Sequence, residues 1–127
     1  MDLTVIDEGG VRFVEGAPDQ RLMASVHDVD RVLEACFSGG VSGALLHAPN
    51  LTAAFFDLSS GEAGAILQKL RNYWIRLAVV CPPGSVSFSS RFGELVAEER
   101  GGKHFGVFEA RHDAVEWLRR TSDAAPV

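Results

Sequence analysis

Residues 43–80 read GALLHAPNLTAAFFDLSSGEAGAILQKLRNYWIRLAVV. The stretch opens on Gly43 to His47, GALLH, and closes on Arg76 to Val80, RLAVV, two short apolar runs. Such runs suit strands buried on both faces. Between them Ala63, Leu67, Leu70 and Trp74 recur at helical spacing, flanked by Ile66 and Tyr73. Strand, helix and strand in this order predict a parallel pair joined by a right-handed crossover. That unit places the chain among α/β proteins.

The flanking sequence extends the pattern. Leu3 to Ile6 and Val11 to Val14 read as strands of a hairpin turning at Asp7-Glu8-Gly9-Gly10. Ser25 and Asp28 resemble a capping box before Val29, Val32, Leu33, Cys36 and Phe37, and Gly39-Gly40 stops that helix. After Pro82-Pro83-Gly84, Ser90 to Glu99 reads as a helix through Phe92, Leu95 and Val96. Lys103 to Glu109 reads as a last strand and His112 to Arg120 as a last helix. The order ββαβαβαβα predicts a single α/β domain over residues 1–120. It holds a mixed sheet of about five strands with about four helices, followed by a disordered tail over 121–127.

The 127 residues carry a formal charge of −5, which disfavours a nucleic-acid partner because no excess of cations displaces phosphate counterions. Lys69, Arg71 and Arg76 are the candidates for a local basic patch. No apolar run approaches the ~18 residues of a membrane span, and no basic region precedes an apolar core at the N-terminus. Cys36 and Cys81 read as reduced, buried small hydrophobes, which predicts a cytoplasmic location. His27, His47, His104 and His112 have no metal-ligand spacing, no dinucleotide or Walker loop occurs, and neither metal nor cofactor is expected. Ser60, His47 and Asp57 make a triad on paper, but no G-x-S-x-G elbow exposes the serine, so no catalytic residue is assigned.

The central helix carries the functional expectation. Ser59 and Glu62 read as a capping box, which leaves Ser60 beside Gly61 at a helix start where backbone donors favour an anion or a phosphoryl group. Opposite the apolar stripe lie Gly61, Gly64, Ala65, Gln68 and Asn72. Each glycine there costs about 1 kcal/mol relative to alanine in a helix interior, which points to a close neighbour. That neighbour is either a second copy across a two-fold axis or the Ser90 to Glu99 helix of the same chain. The reading is a non-catalytic cytoplasmic regulatory or interaction domain, a homodimer, acting through the Ser59 to Asn72 surface on a protein partner or on itself. One alternative is a small-molecule binder whose aromatic pocket uses Phe56, Asp57, Tyr73, Arg76 and Phe92. The other is a phosphorylation switch at Ser60.

Several motifs carry a family resemblance. Leu46-His47-Ala48-Pro49-Asn50-Leu51, Phe55-Phe56-Asp57-Leu58, Ser60-Gly61, Ala63-Gly64, Gln68-Lys69, Asn72-Tyr73 and Leu77-Ala78 resemble bacterial proteins grouped as domain of unknown function 4180. The likeness continues through Phe92, Glu98 and Arg100-Gly101 to Ala114 and Trp117-Leu118, and departs at Glu99, where an asparagine is expected before Arg-Gly. It implies no particular activity. Asp57-Leu58-Ser59-Ser60-Gly61 is also similar, with one residue inserted, to the Asp-Ser-Ser-Gly turn of the sulfate-transporter and anti-sigma-factor-antagonist fold. That second resemblance implies a STAS-like fold with Ser60 as phosphoacceptor.

Overall fold

The computed structural model describes residues 3–22, 26–57, 61–84, 89–99 and 102–122. Its elements follow the order expected. Strands β1 (Leu3–Glu8) and β2 (Val11–Gly16) precede helix α1 (Val29–Gly39), strand β3 (Gly43–His47) and helix α2 (Glu62–Asn72). Strand β4 (Arg76–Val80), helix α3 (Ser90–Glu99), strand β5 (Phe105–Phe108) and helix α4 (Arg111–Ser122) complete the chain. The protein is a single α/β domain with a five-stranded mixed sheet in the order β1-β2-β3-β4-β5. β1 runs antiparallel to β2, and β2 through β5 are parallel.

The hairpin is tighter than the four-residue turn expected. Glu8 pairs with Val11, so only Gly9 and Gly10 turn, both at positive φ, the backbone that a two-residue hairpin loop demands. Residues 51–57, between the expected strand and helix, include a 3-10 turn over Ala53–Phe56. α4 extends past Arg120, so Thr121 and Ser122, expected in the tail, belong to the helix. Ser25 lies outside the described residues, and Asp28 is the N-cap of α1 without a side-chain capping hydrogen bond.

Every crossover moves one strand further in the same direction. Right-handed connections therefore put α1, α2 and α3 on one face of the sheet, and α4 returns across the other. Alternation along the strands divides the core accordingly. Val14, Ala44, Leu46, Leu77, Val79 and Phe105 face α1 to α3. Val11, Phe13, Leu45, Ala78 and Val80 face Ala114, Val115, Trp117 and Leu118 of α4. Cys36 and Cys81 are unpaired and buried, and burial pushes both thiols up to about 12.

Candidate functional site

α2 starts later than the capping-box spacing predicts. Its N-cap is Gly61, held at φ 77, while Ser59 and Ser60 lie outside the described residues. Glu62 accepts a hydrogen bond from Thr52 Oγ1 at 2.9 Å, which ties the helix start to the turn after β3. Ala63, Ile66 and Leu70 are buried against the sheet. Gly61, Gly64, Ala65, Gln68 and Asn72 are all exposed, and a Cβ at Gly64 would meet nothing within 4 Å. α3 therefore does not cover this face. Gln68 Nε2 donates to Asn72 Oδ1 at 2.9 Å. The helix is braced at its sides, by Lys69 on Asp30 of α1 at 2.6 Å and Arg71 on Glu99 of α3 at 3.2 Å.

The end of α2 departs from the sequence pattern. Helical projection places Tyr73 and Trp74 on the core side, yet they are 50% and 59% exposed. The cause is the helix stop. Trp74 N–H donates to Arg71 O and Ile75 N–H to Leu70 O, the paired bonds of a Schellman motif, with Trp74 at the left-handed position (φ 60). α1 closes with the same two bonds through Gly40 at φ 65. A glycine takes that backbone without strain, whereas an L-residue there costs roughly 1–2 kcal/mol. Trp74→Gly is therefore expected to raise the unfolding free energy by about 0.5–1 kcal/mol, after allowing for glycine's extra unfolded-state freedom. Chemical denaturation checks this, and a loss of stability would mean that the ring itself holds the fold.

Phe37, expected on the buried face of α1, is 57% exposed and meets Tyr73 edge-on with ring centroids 5.6 Å apart. The exposed Trp74 ring lies against His104, centroids 6.4 Å apart, while Phe37 and Tyr73 meet at the C-terminal ends of α1 and α2. A recess of about 310 Å³ beside them is lined by Leu33, Phe37, Lys69 and Tyr73, among others. Scattered apolar side chains are normal on a surface, but exposed aromatics gathered at one place mark contact sites.

The residues named for an aromatic pocket do not converge. Phe56 and Phe92 are buried together, ring centroids 5.5 Å apart. Tyr73 lies on the surface and Asp57 is exposed. Arg76 is buried on the α4 side, where Nη1 donates to Leu118 O at 2.6 Å and Thr121 Oγ1 at 2.7 Å. Its guanidinium thus serves the carbonyl end of α4, a favourable place for a cation. Burial lowers its pKa, and Nε has no hydrogen-bond partner among the described residues.

Sequence reading missed a cluster at the carboxyl end of the parallel strands, where open α/β sheets commonly bind ligands. Glu15 of β2 bonds His47 Nε2 at 2.7 Å and accepts from Arg111 of α4 at 2.8 and 2.9 Å. Arg111 also reaches Glu8 of β1 at 2.8 Å. Burial alone would raise the Glu15 carboxyl, but the bonds from His47 and Arg111 win and bring it to about 2. Beside it Asn50 is fully buried. Its Oδ1 accepts from the His47 N–H at 2.7 Å, and its Nδ2 donates to Ala17 O and Gln20 O, both at 2.6 Å. The one sequence signal for this knot is the run His47-Ala48-Pro49-Asn50 directly after a buried strand. These groups satisfy one another, so the arrangement is a clamp rather than a vacant reactive centre.

No helix among the described residues is long and apolar enough to cross a membrane. No curated protein and no solved structure matches the chain at a significant level. The match comes from a family model, described as Domain of unknown function (DUF4180), that spans residues 8–118 and so takes in the hairpin turn, α2, the aromatic end and the clamp. On that match the chain belongs to the DUF4180 family.

Proposed function

We propose that the protein is a non-catalytic, cytoplasmic regulatory or interaction domain, working as a homodimer and docking a protein partner on α2 and its aromatic end. One observation carries this reading. Phe37 and Tyr73 meet beside a helix face that no described residue covers, and the next residue, Trp74, is exposed in a backbone conformation that glycine would adopt more cheaply. Strain retained at an exposed aromatic is the pattern expected where the ring serves binding rather than folding. The saturated clamp at the carboxyl end of the strands favours a non-catalytic role, and two unpaired cysteines fit a reducing compartment.

A photo-crosslinking residue at Gln68, expressed in the native host, tests it. The expected result is a discrete adduct with another protein, absent from a control crosslinker at Arg119 on the opposite face of the sheet. Gly64→Arg is expected to abolish the adduct without changing the thermal midpoint. Equal background labelling at both positions would sink the proposal, and an adduct of twice the chain mass would put the second copy on α2 instead.

A further inference from the structure

β5 is a sheet edge with a self-complementary sequence. It has one strand neighbour, β4. Leu77 N–H donates to His104 O and Cys81 N–H to Phe108 O, so the peptide groups of 104, 106 and 108 turn toward β4. In the alternating pattern of a ladder, those of Phe105 and Val107 turn outward. The described residues give these outward groups no partner. A groove of about 550 Å³ runs along this edge between α3 and α4, lined by Val96, Phe105, Val107, Trp117 and Arg120 among others.

We infer that the occupant of this groove is β5 of a second copy, paired antiparallel about a two-fold axis through Gly106. The two outward residues are centred on Gly106, so Phe105 of one copy faces Val107 of the other and each pair exchanges its N–H···O bonds. The sequence is Lys103-His104-Phe105-Gly106-Val107-Phe108-Glu109. In this register Lys103 stands opposite the second copy's Glu109, and Glu109 opposite its Lys103. Both side chains are exposed and stand at the bends that flank β5, two residues out from Phe105 and Val107, so pairing with a second copy would extend the ladder through them and set both charges on one face. Opposite charges directly across a seam stabilise it, and like charges there oppose it.

The other sheet edge lacks this property. β1 reads Leu3-Thr4-Val5-Ile6-Asp7-Glu8, with acids at one end and no base at the other, and Glu8 already serves Arg111. A two-fold through β1 would therefore form no ion pair. At β5 the seam joins two five-stranded sheets edge to edge. It deepens the reading above by locating the homodimer contact, and it leaves α2 free on both copies, because α3 lies between α2 and the edge.

Sedimentation or light scattering of the full chain at micromolar concentration tests the seam. A dimer is expected for the wild type. Lys103→Glu is expected to weaken it about tenfold or more, since it sets two like-charged pairs across the axis, and Glu109→Lys is expected to do the same. The double variant K103E/E109K restores the pairs in reversed order and should recover wild-type affinity. Val107→Pro removes an outward N–H and should give a monomer, with folding confirmed by circular dichroism. A monomeric wild type overturns the seam. So does a dimer indifferent to all four variants. If Gly64→Arg then dissociates that dimer, the α2 reading survives while the β5 seam does not.

Discussion

Asn50→Leu is expected to lower the unfolding free energy by about 3–5 kcal/mol, the largest single effect in the molecule. Leucine matches the volume but offers no polar atom. It would leave the His47 N–H and the carbonyls of Ala17 and Gln20 without the partners they now have at 2.6–2.7 Å. The stranded His47 N–H costs roughly 1–3 kcal/mol, and the two carbonyls add less each, because Ala17 O keeps the Gln20 N–H at 3.2 Å and Gln20 is exposed to water. The site cannot relax toward the sheet, because Gly16 packs directly beneath. A Cβ there would collide with Asn50 Oδ1 and stand 2.7 Å from Leu22 Cδ1. Asn50→Asp keeps the acceptor for His47 and places a carboxylate against two carbonyl oxygens, so it should be nearly as damaging. Urea denaturation followed by fluorescence reads both, and a loss under about 1 kcal/mol would mean that the carbonyls find other donors.

Acid unfolding should be governed by Glu15. Its carboxyl falls from an ordinary value of 4.5 to about 2 in the folded protein. A depressed folded value means stability that is fully present above the unfolded value and lost as pH falls through the folded one. The loss is therefore expected between pH 4.5 and about 2. Its size is about 2–3 kcal/mol, set below the full linkage value because Arg111 and Glu8 stand partly in solvent. Glu15→Gln should be destabilised by a similar amount at neutral pH and converge on the wild type near the bottom of that window. Stability measured at steps from pH 6 to pH 2 distinguishes the two chains. Parallel curves would show that other carboxylates dominate.

What was legible in the sequence was what repeats. Unbroken apolar runs gave β3 and β4, and helical spacing placed Ala63, Ile66 and Leu70 of α2, Phe92 of α3 and Leu118 of α4 inside. Ends were less legible. Ser59 with Glu62 has the spacing of a cap, but the left-handed backbone at Gly61 sets the start of α2. Tyr73 and Trp74 continue the apolar stripe on paper, yet the helix stops before them because Trp74 takes a conformation its residue type does not advertise. Partners distant along the chain left no local trace. Arg76, assigned to a pocket, binds carbonyl and hydroxyl oxygens of Leu118 and Thr121. Glu15 and Arg111 are 96 positions apart and belong to no motif.

The sequential strand order also sets the order in which the two faces of the sheet are covered as the chain is made. Each strand pairs with the one made just before it, and the three crossover helices fall on the same face as they emerge. The opposite face, with Val11, Phe13, Leu45, Ala78 and Val80, waits for α4, the last 12-residue helix. Arg111, at the start of that helix, reaches back to Glu8 and Glu15 of the β1–β2 hairpin. The sheet therefore keeps one apolar face bare until α4 has been made. The ionic clasp between α4 and the β1–β2 hairpin marks the point at which both faces of the sheet are covered.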